Sequence, residues 1–162
     1  MKQTLMAFSC PRYASFPAVG LYLEQVLWLL NDSLGPLLGG GSDRSVTGTM
    51  VNNYVKQKLL PAPKRKLYTR EHMARLTMLC LFKQAFSIPE IADAFKLLCP
   101  AEEAVAPLYD TFCELMEQTL RNTVQGKASP FAQADLLHAM VTAVANKLYA
   151  RMLLDARQEA AQ

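Results

Sequence analysis

Cysteine and histidine are scarce in this chain, four and two among 162 residues, with no Cys-x-x-Cys, no His-Glu-x-x-His and no cysteine pair at zinc spacing. A metal centre gathers three or four such side chains, so no metal ligand set is expected. There is also no Gly-x-Ser-x-Gly, no Cys/His pairing by motif and no carboxylate pair in an apolar setting; the chain reads as a non-enzyme without a cofactor. No stretch approaches the ~20 apolar residues of a membrane span. The amino-terminal apolar run from Leu5 to Phe8, ahead of Cys10, falls short of the roughly 7 residues that form the core of a secretion signal. Cys10, Cys80, Cys99 and Cys113 are scattered, the last three in or beside apolar stretches where a free thiol acts as a small hydrophobe, and a cytoplasmic protein is expected.

What the chain does have is 51% hydrophobic residues, enough for a real core, and a lopsided charge. Lys56, Lys58, Lys64, Arg65, Lys66, Arg70 and Arg75 fall within residues 56–75 against one acidic residue, Glu71. That window carries +6, and the rest of the chain carries −3. A neutral-to-acidic body with one basic arm points to a polyanionic partner, of which nucleic acid is the commonest.

Periodicity organises the chain into helices. Residues 1–19, with Pro11 and Pro17, show no sustained period and read as an irregular arm. Leu23, Val26, Leu27, Leu30 and Leu34 repeat at helical spacing, with Gly35-Pro36 placed to end or bend that helix and the Gly39–Asp43 run as a flexible link. Thr47 is a plausible N-cap for a short helix to about Lys58. On that helix Met50, Val51, Tyr54 and Val55 share one side, while Thr49, Asn52, Asn53 and Lys56 fall at i, i+3, i+4 and i+7 on the other. Paired asparagines are indifferent helix formers; they can bond adenine edges in a major groove, with Thr and Lys on phosphates or bases, or they can simply be solvated. Pro61 and Pro63 then hold Lys64, Arg65 and Lys66 in an extended loop, and Thr69 caps a helix over about 70–85 whose second half is apolar nearly all round.

Ser87-Ile88-Pro89-Glu90 spells a capping box with Pro in the first turn, starting a helix over 88–98. His72, in the first turn of the preceding helix, suits a capping or phosphate-contact role, and His138 an ordinary helix surface. Two longer helices complete the chain, one ending near Val124 and one capped at Ser129-Pro130. The last carries Ala134, Leu137, Val141, Val144, Leu148 and Met152 at three and four spacing, a stripe that could cover its own core or form a dimer axis. Eight methionines and thirteen Phe and Tyr residues could line an effector cavity or pack the core.

Thr47, Tyr54, Leu59-Leu60-Pro61, Tyr68-Thr69 and Phe86-Ser87-Ile88-Pro89-Glu90-Ile91 occur in the order that resembles the winged-helix domain of the MerR family of bacterial transcription regulators. More specifically, M-V-N-N-Y-V-K-Q-K-L-L-P-A-P, K-x-Y-T-R-E-H-M-A-R-L and S-I-P-E-I, with the preceding L-Y-L-E-Q-V helix, resemble the bacterial family called domain of unknown function 1836 over most of residues 20–100. The resemblance implies a mostly α fold with a winged helix-turn-helix over 20–99, at most a minimal β-hairpin wing, and a carboxy-terminal helical region over 100–162 that pairs two subunits. It implies a homodimeric transcription regulator on double-stranded DNA, contacted through Thr47, Thr49, Asn52, Asn53, Lys56, Lys64, Arg65, Lys66 and Arg70. Asn52 and Asn53 stand where the MerR family carries Arg and Tyr, so base preference does not carry over. The wing is short and lacks a turn glycine. MerR-like metal sensors place cysteines just after the DNA domain; here Cys99 and Cys113 are fourteen residues apart, and no metal sensing is expected. The same scaffold could instead serve as a helical protein-interaction module that does not read DNA.

Overall fold

A computed structural model describes residues 2–39, 45–127 and 135–160. The described chain is mostly helical: α1 (Lys2–Ala7), α2 (Leu23–Leu38), α3 (Gly48–Lys56), α4 (Arg70–Phe82), α5 (Ile88–Leu98), α6 (Val105–Gln125) and α7 (Leu136–Ala160), with 3-10 turns at Tyr13–Ser15 and Glu102–Ala104. Among the described residues there is no sheet, only two isolated bridges, Leu21 with Tyr68 and Lys64 with Leu67.

Helix α4 is the axis of the fold. All of Met73, Ala74, Leu76, Thr77, Met78, Leu79, Cys80, Leu81 and Phe82 are buried, as its all-round apolar composition predicts. The Phe82 ring meets Phe86, Phe95 and Phe112 edge-on at 6.4, 6.3 and 5.3 Å between centroids, joining α4 to α5 and α6. Phe82, Phe95 and Phe112 are buried and Phe86 partly so; each fully buried ring contributes roughly 1.5–3 kcal/mol by removal from water, so the cluster helps tie the middle of the chain to its end. Ser87 caps α5 as its sequence predicts: its hydroxyl accepts from Glu90 N–H, and the Glu90 carboxylate accepts from Ser87 N–H at 2.8 Å.

The amino-terminal segment corrects the reading of residues 1–19 as an irregular arm. Lys2–Ala7 is helical, and Leu5, Phe8, Cys10 and Phe16 are buried in the same cluster as α4 and α6. Its partners lie about a hundred residues away on α6. Arg12 donates Nη1 and Nη2 to the two Glu117 oxygens at 2.9 and 3.1 Å, Cys10 N–H reaches Glu117 Oε1 at 2.8 Å, and Tyr109 O–H reaches the Pro11 carbonyl at 2.7 Å. The prolines that break the period remove backbone donors, and α6 side chains satisfy groups that remain.

Two readings left open by the sequence are narrowed. Helix α2 does not end at Gly35-Pro36 but runs through Pro36 to Leu38, because Leu37 and Leu38 are both buried and a proline in the last turn forfeits only one ladder bond. The stripe on α7 is not a free surface: Leu137, Val141, Val144, Leu148 and Met152 are all buried within this one chain, where α7 packs along α6. It therefore does not supply the dimer axis. Ala134 and the Ser129-Pro130 cap lie outside the described residues, as do Gly40 to Asp43 of the glycine-rich link.

Candidate nucleic-acid interface

Helix α3 is a nine-residue amphipathic piece set by its cap and its underside. Thr47 adopts an extended backbone, and its hydroxyl accepts from Met50 N–H at 3.3 Å. Val51 and Tyr54 are buried, with Met50 and Val55 packed partly against the core. Thr49, Asn52, Asn53 and Lys56 are therefore turned outward, all exposed, at the i, i+3, i+4 and i+7 spacing of one helix face. The side chains of Asn52, Asn53 and Lys56 make no hydrogen bond or ion pair with any described residue.

What orients α3 is a residue outside the basic window. Asn31 on α2 accepts from Val46 N–H at 2.8 Å and donates to the Val46 carbonyl at 3.0 Å, fixing the chain immediately before the Thr47 cap. Nothing in the local sequence around Asn31 distinguishes it from solvated helix surface. Its bonding to Val46, fifteen positions on, is a tertiary fact.

After α3 the chain turns sharply. Lys58 takes a left-handed φ of 58°, and Leu59 and Leu60 are buried, with both their N–H groups directed to the Tyr54 carbonyl. The basic residues then occupy a tight turn: Leu67 N–H bonds the Lys64 carbonyl at 2.9 Å, and the two central residues, Arg65 and Lys66, sit at φ 52° and 63°. Two successive positive φ values are the pattern of a type I′ turn, which ordinarily takes Asn-Gly. The expected minimal β-hairpin wing is absent. Pro61 and Pro63 have no N–H for a ladder, and Tyr68, which would extend the second arm, pairs instead with Leu21 through two 2.8 Å bonds. Lys64, Arg65 and Lys66 are exposed, and their side chains bond no described residue.

Both bases of the turn are anchored. At the far side, Leu67 lies against Gly20 so closely that a Cβ at Gly20 would meet the Leu67 Cβ at 2.9 Å, which reserves that position for glycine. At the near side, His72 is buried and bridges two segments. Its Nδ1 accepts from Thr69 N–H at 3.0 Å, which makes Nε2 the protonated nitrogen, and Nε2 donates to the Pro61 carbonyl at 3.1 Å. Burial holds its pKa below the ordinary histidine value. His72 thus ties the start of α4 to the entry of the basic turn, a capping role.

Arg70 is placed otherwise than the sequence implies. Its Nε donates to the Phe16 carbonyl at 2.7 Å and its Nη2 to the Ala14 carbonyl at 3.2 Å, so its guanidinium straps the amino-terminal segment onto α4. Of the nine candidate contacts, eight are exposed on α3 and the turn, while Arg70 is half-buried and bonded within the fold.

Beneath α3 a small cavity of about 190 Å³ is lined by Leu38, Val46, Met50, Cys80, Lys83 and Gln84. It is smaller than the roughly 300–1,000 Å³ of ordinary ligand pockets; Met73, Met78, Met116, Met140 and Met152 are buried in the core. The Tyr54 hydroxyl, on the inner side of α3, is buried with no hydrogen-bond partner among the described residues, and burial drives its pKa above the usual phenol range. All four cysteines are free thiols and buried. Among the described residues no three His, Cys, Asp or Glu side chains cluster as a metal would require, and no helix is long and apolar enough to cross a membrane.

The fold and this site define a mostly helical protein that presents a short capped helix and a basic turn from a helical core. The chain belongs to the family described as domain of unknown function 1836, whose match spans residues 11–112. The matched segment begins at Pro11 and reaches Phe112, so beyond residues 20–100 it takes in part of the amino-terminal strap and the first part of α6. No curated protein and no solved structure matches the chain.

Proposed function

We propose that this protein binds double-stranded DNA as a non-enzymatic transcription regulator of MerR-like winged helix-turn-helix type. In this reading α2 and α3 form the helix-turn-helix, α3 enters the major groove, and the Lys64–Leu67 turn is a wing reduced to its tip. The observation that carries the reading is the conjunction of an outward polar face on α3 with a basic turn anchored at both ends. Asn52 and Asn53 suit adenine edges, Thr49 and Lys56 suit bases or phosphates, and Lys64, Arg65 and Lys66 suit phosphates. Free thiols fit a reducing, cytoplasmic setting. Dimerisation, which a two-fold operator calls for, draws on exposed surface rather than on the α7 stripe.

The test is a fluorescence-anisotropy titration with mixed-sequence duplex across salt concentrations. Three phosphates neutralised per subunit give a dimer a log-log salt slope near −5, at about −0.9 per phosphate. Weak binding with a flat salt response removes the proposal.

A further inference from the structure

Helix α2 buries one face completely and leaves an unusual one outside. Val26, Leu30 and Leu34 are fully buried, while the opposite side carries Glu24, Trp28 and Asp32 at i, i+4 and i+8, all exposed. Trp28 is the only tryptophan of the chain, and it is 65% exposed. None of the three side chains makes a hydrogen bond, ion pair or ring contact with any described residue. Lone exposed apolar residues are ordinary on protein surfaces. An indole flanked one turn away on each side by an unpaired carboxylate is a different object, because all three groups favour the same kind of ligand atom.

We propose that this stripe is a docking surface for an arginine-bearing extended segment of a partner protein. Indole is the best aromatic face for a cation. The guanidinium stacks flat on such a face and also bonds carboxylates in a planar fork, which lysine does not. The spacing sets the motif. Successive residues of the stripe are four apart, about 6 Å along the helix axis at 1.5 Å per residue. An extended chain covers that distance in two residues, at about 3.3 Å each, and its alternate side chains point the same way. The ligand is therefore Arg-x-Arg-x-Arg, with the central guanidinium on Trp28 and the outer two at Glu24 and Asp32. None of these three residues is among the proposed DNA contacts, and their charge repels phosphate, so failure of this proposal leaves that reading standing.

The full chain is titrated with acetyl-Arg-Ala-Arg-Ala-Arg-amide while Trp28 emission, uncontaminated by any other indole, is followed. A saturable change in emission is expected, with affinity at least tenfold weaker for the same peptide carrying uncharged citrulline in place of arginine. The E24Q/D32N double variant should lose at least tenfold, while E102Q/E103Q, which removes two exposed carboxylates elsewhere, should stay within twofold. No saturable change, or equal losses in both double variants, overturns the proposal. A second copy of this chain is the competing occupant, through its own Lys64, Arg65 and Lys66. Self-association in sedimentation that E24Q/D32N and K64A/R65A/K66A abolish alike would assign the stripe to that copy and overturn the partner proposal.

Discussion

The side-chain amide of Asn31 pairs with both backbone groups of Val46, Oδ1 to N–H at 2.8 Å and Nδ2 to C=O at 3.0 Å, so that α2 dictates where the cap of α3 begins. The Nδ2 group also donates to the Leu27 carbonyl at 2.8 Å, which fixes the amide's own orientation.

Asn31→Leu should therefore destabilise the protein by about 1–3 kcal/mol, since part-buried backbone groups lose their partner. Denaturant titration measures the loss, and hydrogen exchange at the Val51 amide should quicken more than that of amides in α6. Asn31→Asp keeps the acceptor and loses the donor, and should fall between. An unchanged midpoint in Asn31→Leu would show that Val46 is held by packing alone.

The basic turn holds a conflict between conformation and charge. Arg65 and Lys66 occupy left-handed backbone that Asn and Gly adopt readily and that costs other residues of order 1–3 kcal/mol each. Strain kept in an exposed turn with no packing role is consistent with residues chosen for their charge. The double replacement Arg65→Asn with Lys66→Gly should raise stability by roughly 1 kcal/mol or more, by analogy with the preferred type I′ sequence. The same variant should bind duplex DNA more weakly and with a shallower salt slope. Asn52→Ala is the contrast: it should reduce discrimination for one preferred base pair by roughly 1–3 kcal/mol and leave the salt slope unchanged. Equal losses from both variants on specific and random duplex would remove the assignment of base reading to α3.

Features legible in the sequence are those whose cause is local. The capping box at Ser87 and Glu90 and the Thr47 cap involve residues three positions apart, and both form as read. The apolar run of α4 announces a core helix because every face is hydrophobic. By contrast, the amino-terminal segment folds against Tyr109, Asp110 and Glu117, and no period in residues 1–19 encodes partners that far away. Arg70 illustrates the same limit at the candidate site. Within its basic window it looks like a phosphate contact, yet its bonds run to Phe16 and Ala14, 54 and 56 positions earlier. The exposed α3 face was legible from its 3.6-residue period, and the capping role of His72 from its place in the first turn of α4; Asn31 and Gly20, and the bond from His72 to Pro61, act through contacts that composition does not record.

The α7 stripe was legible as a stripe and ambiguous in purpose, since an intramolecular seam and a dimer axis share one pattern. With Val144 and Leu148 at 0% and 2% exposure, a carboxylate at either site has no route to water. Val144→Asp with Leu148→Asp should abolish cooperative unfolding and lower helical circular dichroism, each buried charge being among the substitutions that exceed 4 kcal/mol. A folded monomer from this variant, replacing a native dimer in sedimentation, would restore the stripe as a subunit interface.

His72 makes stability depend on pH with a defined sign. Its Nδ1 accepts from Thr69 N–H, which only the neutral ring can do; protonation breaks that contact while Nε2–H still donates to the Pro61 carbonyl. Burial lowers its pKa below the ordinary value; the Pro61 bond and the nearby Glu71 charge act against that shift, and Arg75 adds to it. An unfolded chain takes up the proton near pH 6.5, before the folded one does. The contribution of neutral His72 is therefore whole above that pH and declines as pH falls through the lower folded value. Glu90 and Asp135, held below the ordinary carboxylate range by bonds from Ser87 and His138, respond at lower pH still. His72→Gln, which can accept from Thr69 N–H without titrating, should flatten the fall in melting temperature between about pH 7 and 5, while costing about 1–2 kcal/mol at neutral pH through imperfect bridging. Parallel melting curves against pH for the two proteins would show that His72 stays neutral throughout and that the acid response originates elsewhere.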